Sequence, residues 1–549
     1  MAAGDAWLAG WRPYALLAAL CLCLYLPGIA TIPVLDRDEA RFAQATRQML
    51  ESGDFLRIRF RDEPRNNKPA GIYWLQAAAV GTFSTPQSTA IWPYRLPSLI
   101  AAGLAAMATF AAGRALLGDR RAAAIGAVLV AAALGVVAEA HIAKTDAALL
   151  AATAAGQCAL GLCYLRSRAD STARARPGWG TAAVFWAAEI AAIFLKGPIG
   201  PGLALLTAGS LALADRDWRW LAGLRPLAGL AAVVLTVGPW LYAIERATAG
   251  GFVSGSLGHD FLAKLSGGQE AHGAPPLYYL ALSLVTFWPG SLLLAPALIH
   301  DWRRRAEPAP RFLLAWLVPA WIVLELVPTK LPHYALPLYP ALALLAGSAL
   351  AAGSASESGR WARRLGSANA ALWVVVTLAI AGALAGLPVR FGDGVTAAGL
   401  AGAAAIVALA ALLLLRRPGP LGSTALLAAL GLAVAVPGAG WVVPGLDRLW
   451  LSRGAAALVA AHPPPETVPL AVVGYNEPSL VFLLRDRLRS GTAGLDDGGE
   501  ALVNSRDATR FNADLAARRL VARPLGSVAG LDYSNGQPTV LTLYRIGGE

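Results

Sequence analysis

Four stretches carry more ionisable residues than packing needs. LDRDEARF, residues 35–42, sets Asp36, Arg37, Asp38, Glu39 and Arg41 directly after an apolar run. NNKPAGIYWLQ, residues 66–76, places Lys68 before a proline and an aromatic segment. SLGHDFLAKLSGGQEAHGAPPLYYL holds His259, Lys264 and His272, and VPTKLPHYALPLYPALALL holds Lys330, His333 and Tyr334. Together these are an acid, several ammonium groups and several imidazoles. Cations offset the growing charge of a phosphate, and a carboxylate accepts or orients a proton. The set therefore fits the handling of a phosphate ester.

Each stretch also has a plainer reading. Asp36 and Glu39 have the spacing of a capping box, and acids in a first turn suit the helix dipole. Phe42, Ala43, Thr46, Met49 and Leu50 fall on one helical face, and Gly53 fits the stop. Arg41 and Arg47 have the length to snorkel toward lipid headgroups. This accounts well for Asp36, Glu39 and the arginines, and only weakly for Asp38, as one more acid in the first turn. Lysines at a membrane edge commonly act as anchors.

The elements that must position these residues are membrane helices. Of the 549 residues 56% are hydrophobic and 15% charged, against about 25% charged in soluble domains. Apolar runs near 13–33, 91–117, 122–138, 146–165, 180–196, 198–214, 221–244, 277–298, 311–328, 333–352, 367–388, 394–415 and 420–441 predict about thirteen spans. Backbone groups in lipid must be satisfied locally, which requires helices here. The formal charge of +12 is not a nucleic-acid footprint, because the arginines cluster in alternate short loops, such as Arg303, Arg304 and Arg305. The positive-inside rule makes those loops cytoplasmic. The N-terminus is then inside, the C-terminus outside, and the chemistry-bearing stretches on the outer face. The short apolar stretch 71–83 reads as a surface or re-entrant helix. The expected class is an all-α polytopic membrane protein with a small outer α/β domain. Residues 1–441 form the membrane body, with long outer loops near 34–90 and 245–276, and 442–549 form the outer domain. There LAVVGY and TVLTLYRI read as strands, and 477–488 and 508–520 as helices. Cys21, Cys23, Cys158 and Cys163 lie in apolar spans as small hydrophobes.

In their order along the chain, DEARFAQATRQMLESGDF, NKPAGIYWLQ, YRLPS, KTDAALL, LKGPIG, HDFLAK, PLYYL and TKLPHYALPLYPALALL resemble the GT-C type lipid-linked-sugar glycosyltransferases. The likeness is nearest to the bacterial aminoarabinose transferases that modify lipid A, relatives of the protein O-mannosyltransferases. The resemblance implies transfer of a sugar, 4-amino-4-deoxy-L-arabinose in that branch, from a polyprenyl-phosphate donor to lipid A, with inversion. The site would face the periplasm from the inner membrane. The resemblance makes Asp38 the catalytic candidate and Lys68 a phosphate contact. It makes His259, Lys264 and Tyr334 substrate-binding. Glu39, Lys330 and His333 join them as expected substrate contacts. Asn67 stands where the family commonly has a glutamate linked to a cation, so no metal or other cofactor is expected. The expected partners are the donor, lipid A or another envelope acceptor, and membrane lipids. Transfer to protein hydroxyls or another envelope glycan is the alternative within the enzyme class. A transporter is the rival from another class, but transporters place their sites near the midplane in repeated halves, and no repeat is evident.

Overall fold

The computed structural model describes residues 8–169, 178–256, 258, 275–353, 359–463, 470–485, 488–493 and 495–548. Among these, nine helices are long and apolar enough to cross a membrane, or up to ten if a bent pair counts as one span. The chain is mostly helical and multi-pass. Small residues let the helices approach closely, as membrane packing requires. A Cβ on Gly71 would lie 2.6 Å from the Phe194 carbonyl oxygen, so the short helix Gly71–Phe83 sits directly against Trp179–Lys196. Trp74, Phe194 and Trp240 close that contact with ring centroids 5.3–6.5 Å apart.

Two of the expected spans are broken. Arg120–Ala132 and Leu134–Ala140 meet at 57°. Ala133 leaves the helix with ψ 125°, and the Leu134 N–H donates to the Trp288 carbonyl at 3.0 Å. The run near 277–298 divides into Tyr278–Thr286, a 3-10 turn Gly290–Leu293, and Leu294–Arg303. Pro289 precedes that turn and has no N–H to continue a helix.

The helix Asp38–Ser52 ends at Gly53 with φ 68°. Its neighbours correct the sequence reading at two points. Asp36 does not cap the helix Asp38–Ser52: its carboxylate accepts from the Ser479 N–H at 3.1 Å, in the first turn of the helix Pro478–Leu484, and its own N–H donates to the Tyr533 hydroxyl at 2.7 Å. Arg47 does not snorkel. It is buried, donates to the Phe482 and Ser88 carbonyls, and lies 4.1 Å from the centre of the Phe482 ring.

Those contacts dock the C-terminal part of the chain. After the small pair β1 (Arg59–Phe60) and β2 (Glu63–Pro64) in the first long loop, the remaining strands are β3 (Leu470–Val473), β4 (Leu488–Ser490), β5 (Glu500–Asn504), β6 (Leu520–Asp532) and β7 (Gln537–Gly548). They form one mixed sheet in the order β4-β3-β5-β7-β6. β3 runs parallel to β4 and β5, and β7 antiparallel to β5 and β6. The anticipated strands around 470–475 and 539–546 are present. The anticipated helix 477–488 stops at Leu484, because Arg485 turns to φ 62°.

Candidate active site

Between the first long loop, the turn around Thr329 and the edge of the C-terminal sheet domain lies a polar cavity of about 740 Å³. Asp38, Lys68, Lys144, Asp146, Lys196 and His333 all reach it. Each comes from the end of an apolar helix or the loop beside it. That is where an ionisable group meets the polar boundary without the cost of full burial in hydrocarbon.

Glu39 explains how Asp38 is held. Its two oxygens accept from Arg95 Nε and Nη2, from the Leu35 N–H and from the Ala143 N–H, each at 2.8 Å. Both side chains of the Glu39–Arg95 pair are fully buried. Arg95 also donates to the carbonyls of Ile29, Ile32 and Pro33. The first turn of the helix is thereby tied to the span Trp92–Leu116, with Asp38 left facing the cavity. The expectation that Glu39 contacts substrate is corrected by this: its lone pairs are taken, and it does not line the cavity. Lys330 is corrected likewise. Its ammonium donates to the carbonyls of Leu324, Glu325 and Val327, which satisfies the open end of the helix Pro308–Leu326. Neither residue reaches the cavity; their roles are structural.

The cavity floor is a network around His333 whose other parts, Lys144, Asp146, Lys196 and Glu139, the sequence reading left without a role. Lys196 Nζ stands 2.5 Å from Asp146 Oδ1. Lys144 Nζ lies 2.8 Å from Glu139 Oε1, 3.6 Å from Asp146 Oδ2 and 3.3 Å from His333 Nδ1. An ammonium only donates, so His333 Nδ1 is the acceptor and Nε2 carries the proton. His333 Nε2 lies 3.8 Å from Asp146 Oδ1. Lys196 also lies 5.2 Å from the centre of the Tyr334 ring. Asp146 thus holds two ammonium groups and an imidazole in one place. The signals in the sequence were KTD and LKGP, charged residues at the starts or ends of spans.

Asn67, Lys68, Asp146, Lys196, His333 and Tyr334 line a second space as well. This is a groove of about 260 Å³, otherwise walled by residues such as Leu203, Leu206, Ala320 and Val323. It runs between the helices Ile199–Asp215 and Pro308–Leu326. Of the predicted site residues, Asp38, Lys68, His333 and Tyr334 are brought together in the polar cavity. His259 and Lys264 lie outside the described residues. Asn67 Oδ1 is buried without a partner, and a neutral amide oxygen is a weak cation ligand. Among the described residues no three His, Cys, Asp or Glu side chains converge as metal ligands.

The family described as dolichyl-phosphate-mannose-protein mannosyltransferase matches residues 13–243. Two relatives named as undecaprenyl phosphate-alpha-4-amino-4-deoxy-L-arabinose arabinosyl transferases are similar over part of the chain. The one from Edwardsiella ictaluri is 27% identical over 62% of this chain and 59% of its own. The one from Pseudomonas fluorescens is 28% identical over 66% of this chain and 64% of its own. The chain thus spans less than two thirds of the length of these relatives. The crystal structure of ArnT from Cupriavidus metallidurans bound to undecaprenyl phosphate superposes with a TM-score of 0.73 at 22% identity, covering 97% of this chain and 98% of the other. In sequence over 62–66% of its length, and in fold over 97% of it, the chain resembles the undecaprenyl phosphate-aminoarabinose transferases, within the wider GT-C fold.

Proposed function

We propose that this protein is an inverting glycosyltransferase that moves a sugar from a polyprenyl-phosphate donor to lipid A at the outer face of the inner membrane. One observation carries the proposal. A polar, cationic cavity and an apolar groove meet at Lys68, Asp146, Lys196, His333 and Tyr334. A lipid phosphate has that same division, with an apolar tail and an anionic head. The relatives' names supply 4-amino-4-deoxy-L-arabinose as the sugar.

In this reading the tail lies in the groove and the phosphate sits at Lys68 and Lys196; Lys264 and His259, outside the described residues, are the further contacts that the family resemblance implies. Tyr334 packs beside it. The acceptor oxygen attacks the anomeric carbon as the bond from that carbon to the phosphate oxygen breaks. The phosphate leaves with the electron pair, and its growing charge meets the ammonium groups. An acceptor phosphate is already anionic and needs no base, so Asp38 then orients the sugar through its amino group. A hydroxyl acceptor would instead make Asp38 the general base.

The topology belongs to the same proposal. The helices of spanning length, the bent pair, the shorter Arg12–Tyr25 and Ile199–Asp215, and the broken 278–303 segment make about thirteen crossings. The N-terminus is cytoplasmic, and the cavity and residues 442–549 are periplasmic.

The test is mass spectrometry of lipid A from cells with matched levels of wild type, Asp38→Asn and Lys68→Ala. Wild type should add one amino-pentose mass. Lys68→Ala should slow transfer by roughly 10²–10³. Unmodified lipid A in all strains would reject that acceptor and favour a protein or glycan. Modification that survives both substitutions would reject the site.

A further inference from the structure

A second cavity lies at the opposite end of the membrane body. It has a volume of about 520 Å³, and its walls include Ser210, Trp302, Arg303, Arg305, Arg311 and Leu314. The two helices that form the groove also form this cavity. Ile199–Asp215 contributes Leu203 and Leu206 to the groove and Ser210 and Leu211 to the cavity. Pro308–Leu326 contributes Ala320 and Val323 to the groove and Leu314 and Val318 to the cavity. The first helix has 17 residues, a length of about 25 Å. The groove and this cavity therefore lie toward opposite ends of the same two helices, which places them near opposite borders of the hydrocarbon layer.

The charge at this corner is positive. Asp215 is the carboxylate beside Arg311, at 2.5 Å, and it is already shared with Arg168 and the Tyr164 hydroxyl. Glu307 is turned to Arg304 at 2.7 Å, and Asp301 is fully buried. Arg305 lies 5.3 Å from the centre of the Trp302 ring and donates to the Trp302 carbonyl at 2.8 Å. Tryptophan and arginine together mark a headgroup border. A free anion would use the guanidinium groups and leave the apolar wall idle, whereas a phospholipid uses both.

We propose that this cavity binds the headgroup of an anionic phospholipid, whose acyl chains lie along its apolar wall at Leu211, Leu314 and Val318. The inference requires only that the body spans a membrane, and it stands apart from the transfer reaction.

The test uses the full chain in micelles, titrated with phosphatidylglycerol, phosphatidylcholine or inorganic phosphate, and reads retained lipid by native mass spectrometry. Wild type should retain phosphatidylglycerol over phosphatidylcholine, with roughly fivefold weaker binding for each arginine replaced in Arg303→Gln and Arg305→Gln. Arg311 stays in place because it pairs with Asp215. Equal retention of both lipids, or a preference unchanged in the double variant, would overturn the proposal. So would inorganic phosphate competing as strongly as phosphatidylglycerol. If the double variant does not fold, Ser210→Trp fills the cavity without altering charge. Loss of the preference would then support the site, and its persistence would overturn it.

Discussion

At Glu39 a carboxylate is withdrawn from water entirely and compensated by four N–H donors. Removing one member of such a buried pair strands the other, at a cost of about 3–5 kcal/mol. Glu39→Ala is therefore expected to lower the thermal unfolding temperature sharply, and to abolish transfer because Asp38 loses its placement. Glu39→Gln, which keeps part of the hydrogen bonding to Arg95, should lose less. Unfolding temperatures of the purified variants check this, and a Glu39→Ala protein as stable as wild type would refute it. Asp38, Lys68, His333 and Tyr334 were singled out by their places at membrane edges together with the family resemblance, and all four line the one polar cavity. Glu39 was misassigned because its partner, Arg95, lies 56 positions away. Asp146, Lys144 and Lys196 each look like ordinary helix-end charges. Only the packing of separate spans reveals that Asp146 is the hub.

At the scale of elements, the groove depends on small residues in the Ile199–Asp215 helix. Gly202 lines it, and a Cβ there would meet nothing within 4 Å. A large side chain at that position would fill donor space without displacing protein atoms. Gly202→Phe is expected to weaken donor binding roughly tenfold or more, as overpacking of a fitted apolar site does, while leaving the unfolding temperature close to wild type. Steady-state kinetics against donor, beside a melting curve, separate the two effects. An unchanged KM would remove the tail from this groove. The apolar runs that became helices could be read from composition, but the breaks within them could not. The break at Ala133 depends on the Trp288 carbonyl, and the sequence is equally apolar on both sides of it.

At the scale of the molecule, the C-terminal sheet domain closes one wall of the cavity through Asn476 and Pro478. It is docked through Asp36, whose contacts span more than 400 residues of sequence; β3 and β7 were readable from sequence, but this junction was not. Burial raises the Asp36 carboxyl above its ordinary value. Burial also raises Glu477, to which neighbouring Asp36 and Asp532 add. In the undocked state both return to the ordinary carboxyl range, near 3.9 and 4.3. The docked state then holds more protons between the two sets of values. Docking should be strongest below about 4 and weaken as pH rises through the raised values. Hydrogen exchange at the Ser479 amide should report this, with a shallower pH slope in Asp36→Asn; protection that grows with pH in wild type relative to the variant would reverse the sign. The groove itself is not sealed from its surroundings, since Leu206 and Val323 are 36% and 39% exposed along its wall. In the proposed reaction the donor consequently slides in sideways, within the plane of the bilayer. What the enzyme senses is then the donor's share of the lipid, not its amount per litre. Adding buffer leaves turnover untouched, whereas adding inert lipid slows it, so the rate is governed by membrane composition.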